Sequence, residues 1–183
     1  MIYQISLQLT GLAAGLLLIF SHAAGFLKPD ATIRFVRSFP RSRMAGTILL
    51  FLAATWSFLL VTGIDLGEFS KLRSVMLLGI VAGAVLSWIY VEEFLAVRAL
   101  GMLLLLAAEP LLESCALRME PSRLLLVVLA YVWVIAGLFF VGMPYLLRDA
   151  IKIVSTREKI WRAAALAGLI YGLVLVAAAW LSW

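Results

Sequence analysis

The chain is poor in the groups that carry most enzyme chemistry. It has one cysteine, Cys115, and one histidine, His22. A single cysteine excludes an intramolecular disulfide and any CxxC redox or metal motif. A single histidine supplies neither two axial haem ligands nor a His-rich metal site. Its expected role is packing, or a hydrogen bond to backbone late in the first apolar segment. The sequence holds no H-E-x-x-H, no G-x-S-x-G, no Gly-rich phosphate loop and no dinucleotide fingerprint. General acid–base work is left to the carboxylates. No metal and no cofactor are expected.

Charge is also scarce, at 14% of residues, and it is unevenly placed. No Asp, Glu, Lys or Arg occurs between Met1 and Lys28, Arg43 and Asp65, or Arg73 and Glu92. The same holds between Arg123 and Arg148 and after Arg162. Each gap reaches the roughly 20 apolar residues that cross a bilayer. The residues that fill them make the chain 65% hydrophobic, against about 45–50% for a soluble domain. The runs are apolar all round, which suits a lipid exterior and not a water-facing helix.

These gaps predict five spans, at 5–27, 44–64, 74–91, 124–147 and 163–183. A sixth is expected at 94–112, with Arg98 near one end, where it can snorkel to the headgroups, and Glu109 near the other. Loop parity supports it. With six spans, eleven Lys and Arg fall on one side and four on the other; with five spans the split is eight against seven. Basic loops stay in the cytoplasm, so six spans are preferred. The expected fold class is all-α, a polytopic integral membrane protein with six transmembrane helices, short loops and both termini non-cytoplasmic. One transmembrane domain covers 1–183, and the expected location is a bacterial-type inner (plasma) membrane. Ser21-His22-Ala23 resembles a signal-peptidase site, but no positive charge precedes it, so the first segment reads as a retained span.

Two longer loops carry local signals. In the first, Pro29-Asp30 starts a helix with Asp30 as a cap, Ile33, Val36 and Phe39 recur at helical spacing, and Pro40 stops it. This predicts a short interfacial helix with Arg34, Arg37 and Arg41 on lipid headgroups, or serving as a topological anchor. In the second loop, Ser155 and Glu158 form an S-x-x-E capping box for the last helix. Arg148 and Lys152 share a face if the fifth helix continues beyond the membrane. Pro144 is expected to kink that helix. Trp161 marks one interface, and Trp180 and Trp183 mark the other. Trp56 and Trp133 lie deeper and read as packing residues.

Three spans show glycines four apart: Gly11/Gly15, Gly79/Gly83 and Gly168/Gly172. Such faces let helix backbones approach closely. They are expected to pack mainly within the monomer.

The stretch with most chemical content is the third–fourth hairpin. It holds Glu92, Glu93 and Arg98, then Glu109-Pro110 and Glu113. Arg98 and Glu109 lie about three turns apart on one face. The residues could form an intramembrane polar path, with Glu109 as the carboxylate handling a proton or cation; alternatively they are hairpin-end and interface charges. No Gly, Pro or Asn marks the turn, which predicts an ordinary tight backbone or a projecting third helix.

Three functions fit this inventory. The leading one is a non-catalytic membrane subunit that packs into a larger assembly or a homo-oligomer. The alternative is a small transporter or channel lined by Glu109, Arg98 and Glu92 or Glu93. A lipid-modifying enzyme using Glu92 and Glu93 near the basic loops is a distant third. Expected partners are membrane lipid, anionic lipid included, and other membrane subunits or further copies of the chain. Nucleic acid is not expected, because no loop is long enough to build a folded basic surface.

Overall fold

The computed structural model describes residues 3, 5–91 and 93–181; Glu92 and Trp183 lie outside the described residues. Among these residues the chain forms eight α-helices and two 3₁₀ turns, with no strand. Helix α1 runs Leu7–Leu27 and is capped by Ser6, whose side chain accepts the Leu9 N–H at 3.2 Å. A short α2, Pro29–Ser38, leads through a 3₁₀ turn at Phe39–Arg41 into α3, Arg43–Gly63, capped in the same way by Ser42 on Ala45 N–H. A second 3₁₀ turn, Gly67–Leu72, feeds α4, Arg73–Tyr90. Then come α5, Leu95–Cys115, α6, Arg123–Gly142, α7, Tyr145–Thr156, and α8, Glu158–Leu181.

Six of these are long and apolar enough to cross a membrane: α1, α3, α4 with its leading turn, α5, α6 and α8. The protein is an all-α polytopic membrane protein. Four spans end close to the charge boundaries. Two differ for local reasons. The fifth stops at Gly142, five residues before Leu147, because Met143 leaves helical geometry and Pro144 becomes the N-cap of a separate helix, α7. Pro144 therefore ends a helix where a kink was expected. The last span starts at Glu158, five residues before Ala163, because the helix extends into the basic loop.

Three loop expectations also change. Pro29 occupies the first turn of α2 and Lys28 the cap position, so Asp30 sits inside the helix. Ser155 lies in the last turn of α7 and is not a cap for α8; the break between them is Arg157, which is extended. The α4–α5 turn is not ordinary in backbone: Phe94 is left-handed, with φ 59° and ψ 25°. Its carbonyl accepts the N–H groups of Val97 and Arg98 at 3.0 and 3.1 Å, which starts α5.

The bundle is organised by close backbone crossings. Helices α1 and α8 run antiparallel and meet at Gly15 and Gly172. A Cβ on either glycine would lie 2.9 Å from the other's carbonyl oxygen. Helices α5 and α6 cross the same way at Gly101 and Gly137, with 2.8 Å on both sides. Gly46 brings α3 against the start of α5, where a Cβ would stand 2.8 Å from Ala96 N. Between the pairs lies a core of Leu7, Ala14, Leu111, Leu126 and Leu175. Tyr171 of α8 donates its hydroxyl to the Leu125 carbonyl of α6 at 2.7 Å, satisfying a polar group inside the bundle. Helix α4 packs on α3 at the edge and has no buried residue.

The two ends of the bundle are distinct. The end rich in Lys and Arg holds α2, α7, the α4–α5 turn and Trp161, whose Nε1–H donates to the Gly25 carbonyl at 2.9 Å. The other end gathers Tyr3, Trp56 and the C-terminal turns of α3 and α5.

Candidate functional site

Helix α5 carries Arg98, Glu109 and Glu113 of the polar residues singled out in the sequence and distributes them to its two ends, while Glu93 lies in the turn before it. Arg98 and Glu109 are both half-buried. Eleven residues of helix separate them by about 16 Å, too far for an ion pair. Near the basic end, the Arg98 Nε is buried with no hydrogen-bond partner among the described residues. Pro110 is buried and lies within α5, which continues through it to Cys115. It offers no N–H to the Leu106 carbonyl.

At the opposite end the carboxylates converge on Tyr3. Glu113 accepts the Tyr3 backbone N–H through both oxygens, at 3.1 and 3.3 Å. The Tyr3 hydroxyl accepts the Trp56 indole N–H at 2.7 Å. Trp56 thus has a defined polar partner. Burial pushes the Tyr3 phenol above its ordinary pKa; the Trp56 hydrogen bond opposes this, while the charges of Glu109 and Glu113 add to the rise. Tyr3, Trp56, Ile64 and Asp65 border a crevice of about 710 Å³ at this end.

The arginines of α2 separate in role. Arg34 is exposed. Arg37 reaches across to α7, donating Nε–H to the Ser155 hydroxyl at 2.8 Å and Nη2–H to its carbonyl at 3.2 Å. Arg41 lies beside Glu93, Phe94 and Arg148. Glu93 is thus brought to Arg41 and Arg148, not to Arg34 or Arg37. His22 sits with Nδ1 2.9 Å from the Leu18 carbonyl, which requires the Nδ1–H tautomer. Its ring fills the space that a Cβ on Gly168 would need.

The glycine pairs divide sharply. Gly11 and Gly15 are buried on α1, and Gly172 is buried on α8 against Gly15. Gly79 and Gly83 of α4 have nothing within 4 Å of a would-be Cβ. Their face differs from the intramolecular packing expected of it. It borders an open groove of about 410 Å³ between α3, α4 and α5. Small residues dominate the α3 and α4 walls, among them Ala53, Ala54, Ser57 and Ala84, and Met102, Leu105 and Leu106 form the floor.

Two glycines of structural weight escaped the spacing argument. Gly101 and Gly137 each lack a small residue four positions away. Only their tertiary pairing reveals them. Trp88 was likewise unmarked: it donates to Thr47 at 3.2 Å and lies under the Arg43 guanidinium at 5.9 Å, fastening α4 to α3.

No protein-family model matches the chain, and no curated protein or solved structure is significantly similar to it.

Proposed function

We propose that this protein is a non-catalytic integral membrane subunit, and that the α3–α4 groove receives a transmembrane helix of another subunit. The observation that carries the reading is the open Gly79/Gly83 face. Elsewhere in the bundle, small-residue faces are used to backbone contact; here the same chemistry is left without a protein neighbour. Association of helices in lipid depends on van der Waals packing at such faces, since hydrocarbon tails are as apolar as leucine. A helix seated in the groove would gain contacts that disordered lipid tails fill poorly. The proposed location is a bacterial-type inner membrane or its equivalent, the setting that the charge rule for the basic loops assumes.

The test is gentle detergent extraction of tagged protein followed by native mass spectrometry, with a Gly79→Leu/Gly83→Leu variant alongside. A defined set of co-purifying membrane proteins is expected for the parent chain. The variant should lose them while keeping its thermal stability, because both added side chains enter open space. A lone monomer, or a homo-oligomer that survives the double substitution, would overturn the reading.

A second reading, a small transporter or channel, rests on the unpartnered Arg98 Nε and the half-buried Glu109 on one helix. Its test is flux into proteoliposomes with Glu109→Gln as control. Unchanged flux in that variant would remove Glu109 from any path.

A further inference from the structure

The basic end of the bundle contains an assembled cationic cleft whose parts lie far apart in sequence. Helices α2 and α7 converge there, held by the two hydrogen bonds from Arg37 to Ser155. One cavity, of about 410 Å³, is lined by Arg37, Pro40, Arg148, Ile151 and Lys152, with Thr156 at its edge. A second, of about 330 Å³, is lined by Arg41, Glu93, Phe94 and Arg148. Arg148 lines both, so the two cavities adjoin at its side chain and are treated together as one cleft.

The charge in this cleft is unbalanced. Among the described residues, two carboxylates face four cations. Asp149 takes Arg148 at 2.8 Å, and Glu93 borders the second cavity. The side chains of Arg41 and Lys152 make no hydrogen bond or ion pair among the described residues. Part of the Arg37 guanidinium remains available, because Ser155 occupies only Nε and Nη2. The surplus of two positive charges matches a phosphate group carrying two negative ones.

The walls and depth agree with the same ligand. Pro40 and Ile151 are buried and supply an apolar back wall, and the Phe94 ring lies 5.7 Å from the Arg148 guanidinium carbon. Phe35 on α2 and Ile153 on α7 are exposed apolar residues, 67% and 65% accessible. On amphipathic helices at a span boundary, such residues enter the acyl layer and set the helices in the membrane interface. That depth places the cleft at the level of the headgroup phosphates.

We infer that this cleft is a binding site for a dianionic phosphate group, carried by an anionic lipid headgroup or as free phosphate. It differs from general attraction of a basic loop to an anionic leaflet. That attraction depends on summed charge near the surface. A cleft depends on which cations are removed.

The experiment uses the full chain in detergent, titrated with short-chain phosphatidic acid or with phosphatidylcholine of the same chain length, and read by native mass spectrometry. Phosphatidic acid should be retained about tenfold more than phosphatidylcholine, the ratio expected from replacing weak by charge-assisted contacts. Arg148→Gln with Lys152→Gln should abolish that preference. Lys28→Gln with Lys159→Gln removes two charges from the same end but outside the cleft, and should leave it intact. Lys152→Gln alone alters an exposed side chain and should weaken the preference even if the double variant does not fold. Millimolar inorganic phosphate that displaces the lipid assigns the site to the phosphate group itself, free phosphate included. Lipid that resists it assigns the site to a headgroup held together with its chains. Equal retention of the two lipids by the parent protein would overturn the inference. So would an equal loss of preference in the control variant.

Discussion

At the scale of single residues, glycine decides where this bundle closes. At Gly172, a side chain would meet the Gly15 carbonyl and the Ile19 side chain at 2.9 Å. Those atoms are helix backbone and packed side chain, so α1 and α8 must separate to admit it. Gly172→Leu is therefore expected to destabilise the protein by about 1–3 kcal/mol, the usual cost of overpacking a tight contact. Gly83→Leu removes an equally conspicuous glycine from a site with nothing within 4 Å. It should be neutral or stabilising, by up to about 1 kcal/mol from helix propensity. Thermal unfolding in one detergent compares the two directly. Equal melting temperatures would show that α1 and α8 do not rely on that contact. The comparison also marks a limit of sequence reading. Spacing identified Gly15 and Gly172 but also Gly79 and Gly83, and it missed Gly101 and Gly137. Periodicity locates a small face on one helix, but only the partner helix determines whether that face is closed.

At the scale of elements, the six spans were legible and the two interfacial helices were not equally so. Lipid forbids unpaired charge, so gaps between charged residues reveal spans almost directly. Helix α2 could be read because Pro29, Pro40 and an apolar repeat lie within a charged loop. Helix α7 was absorbed into the fifth span because Tyr145, Leu146 and Leu147 continue its apolar run, and Pro144 alone marks the break. The left-handed Phe94 had no local signal, since φ above zero is ordinarily a glycine or asparagine conformation. Arg98, Glu109 and Glu113 of the candidate polar path were legible as residues of one helix. The separation of its ends followed from helix rise, but the convergence of Glu109 and Glu113 on Tyr3 required the tertiary fold.

The pairing of α2 with α7 has a measurable consequence. Arg37 supplies two hydrogen bonds between them, across 118 residues of sequence. Arg37→Ala leaves the hydroxyl and carbonyl of the buried Ser155 to find other partners, at a cost of about 1–3 kcal/mol for bonds to a charged donor. Because neither helix crosses the membrane, the loss should be local. Hydrogen exchange is expected to quicken in α2 and α7 while α1, α5, α6 and α8 stay protected. Uniform quickening through the spans would show that this contact supports the whole bundle.

At the scale of the whole molecule, the arrangement is asymmetric in a way that bears on its orientation. The paired helices α1 and α8, and α5 and α6, enclose the core, while α3 and α4 extend to one flank. All interhelical polar contacts near the ends join segments that the six-span topology puts on the same side. Arg37 with Ser155 and Trp161 with Gly25 fall at one end; Tyr3 with Trp56 and Glu113 fall at the other. A chain with five crossings would place α2 and α7 on opposite sides of the membrane, and the Arg37–Ser155 bond could not form. The number of crossings and the sidedness of the loops are therefore one question. Single cysteines introduced at Arg34, Lys159, Lys71 and Arg118 in a Cys115→Ala background answer it with a membrane-impermeant thiol reagent. Positions 34 and 159 should react from one side and positions 71 and 118 from the other, with the first pair cytoplasmic by the charge rule. Reaction of positions 34 and 159 from different sides would reduce the crossings to an odd number between them and break the α2–α7 pairing on which the cationic cleft depends.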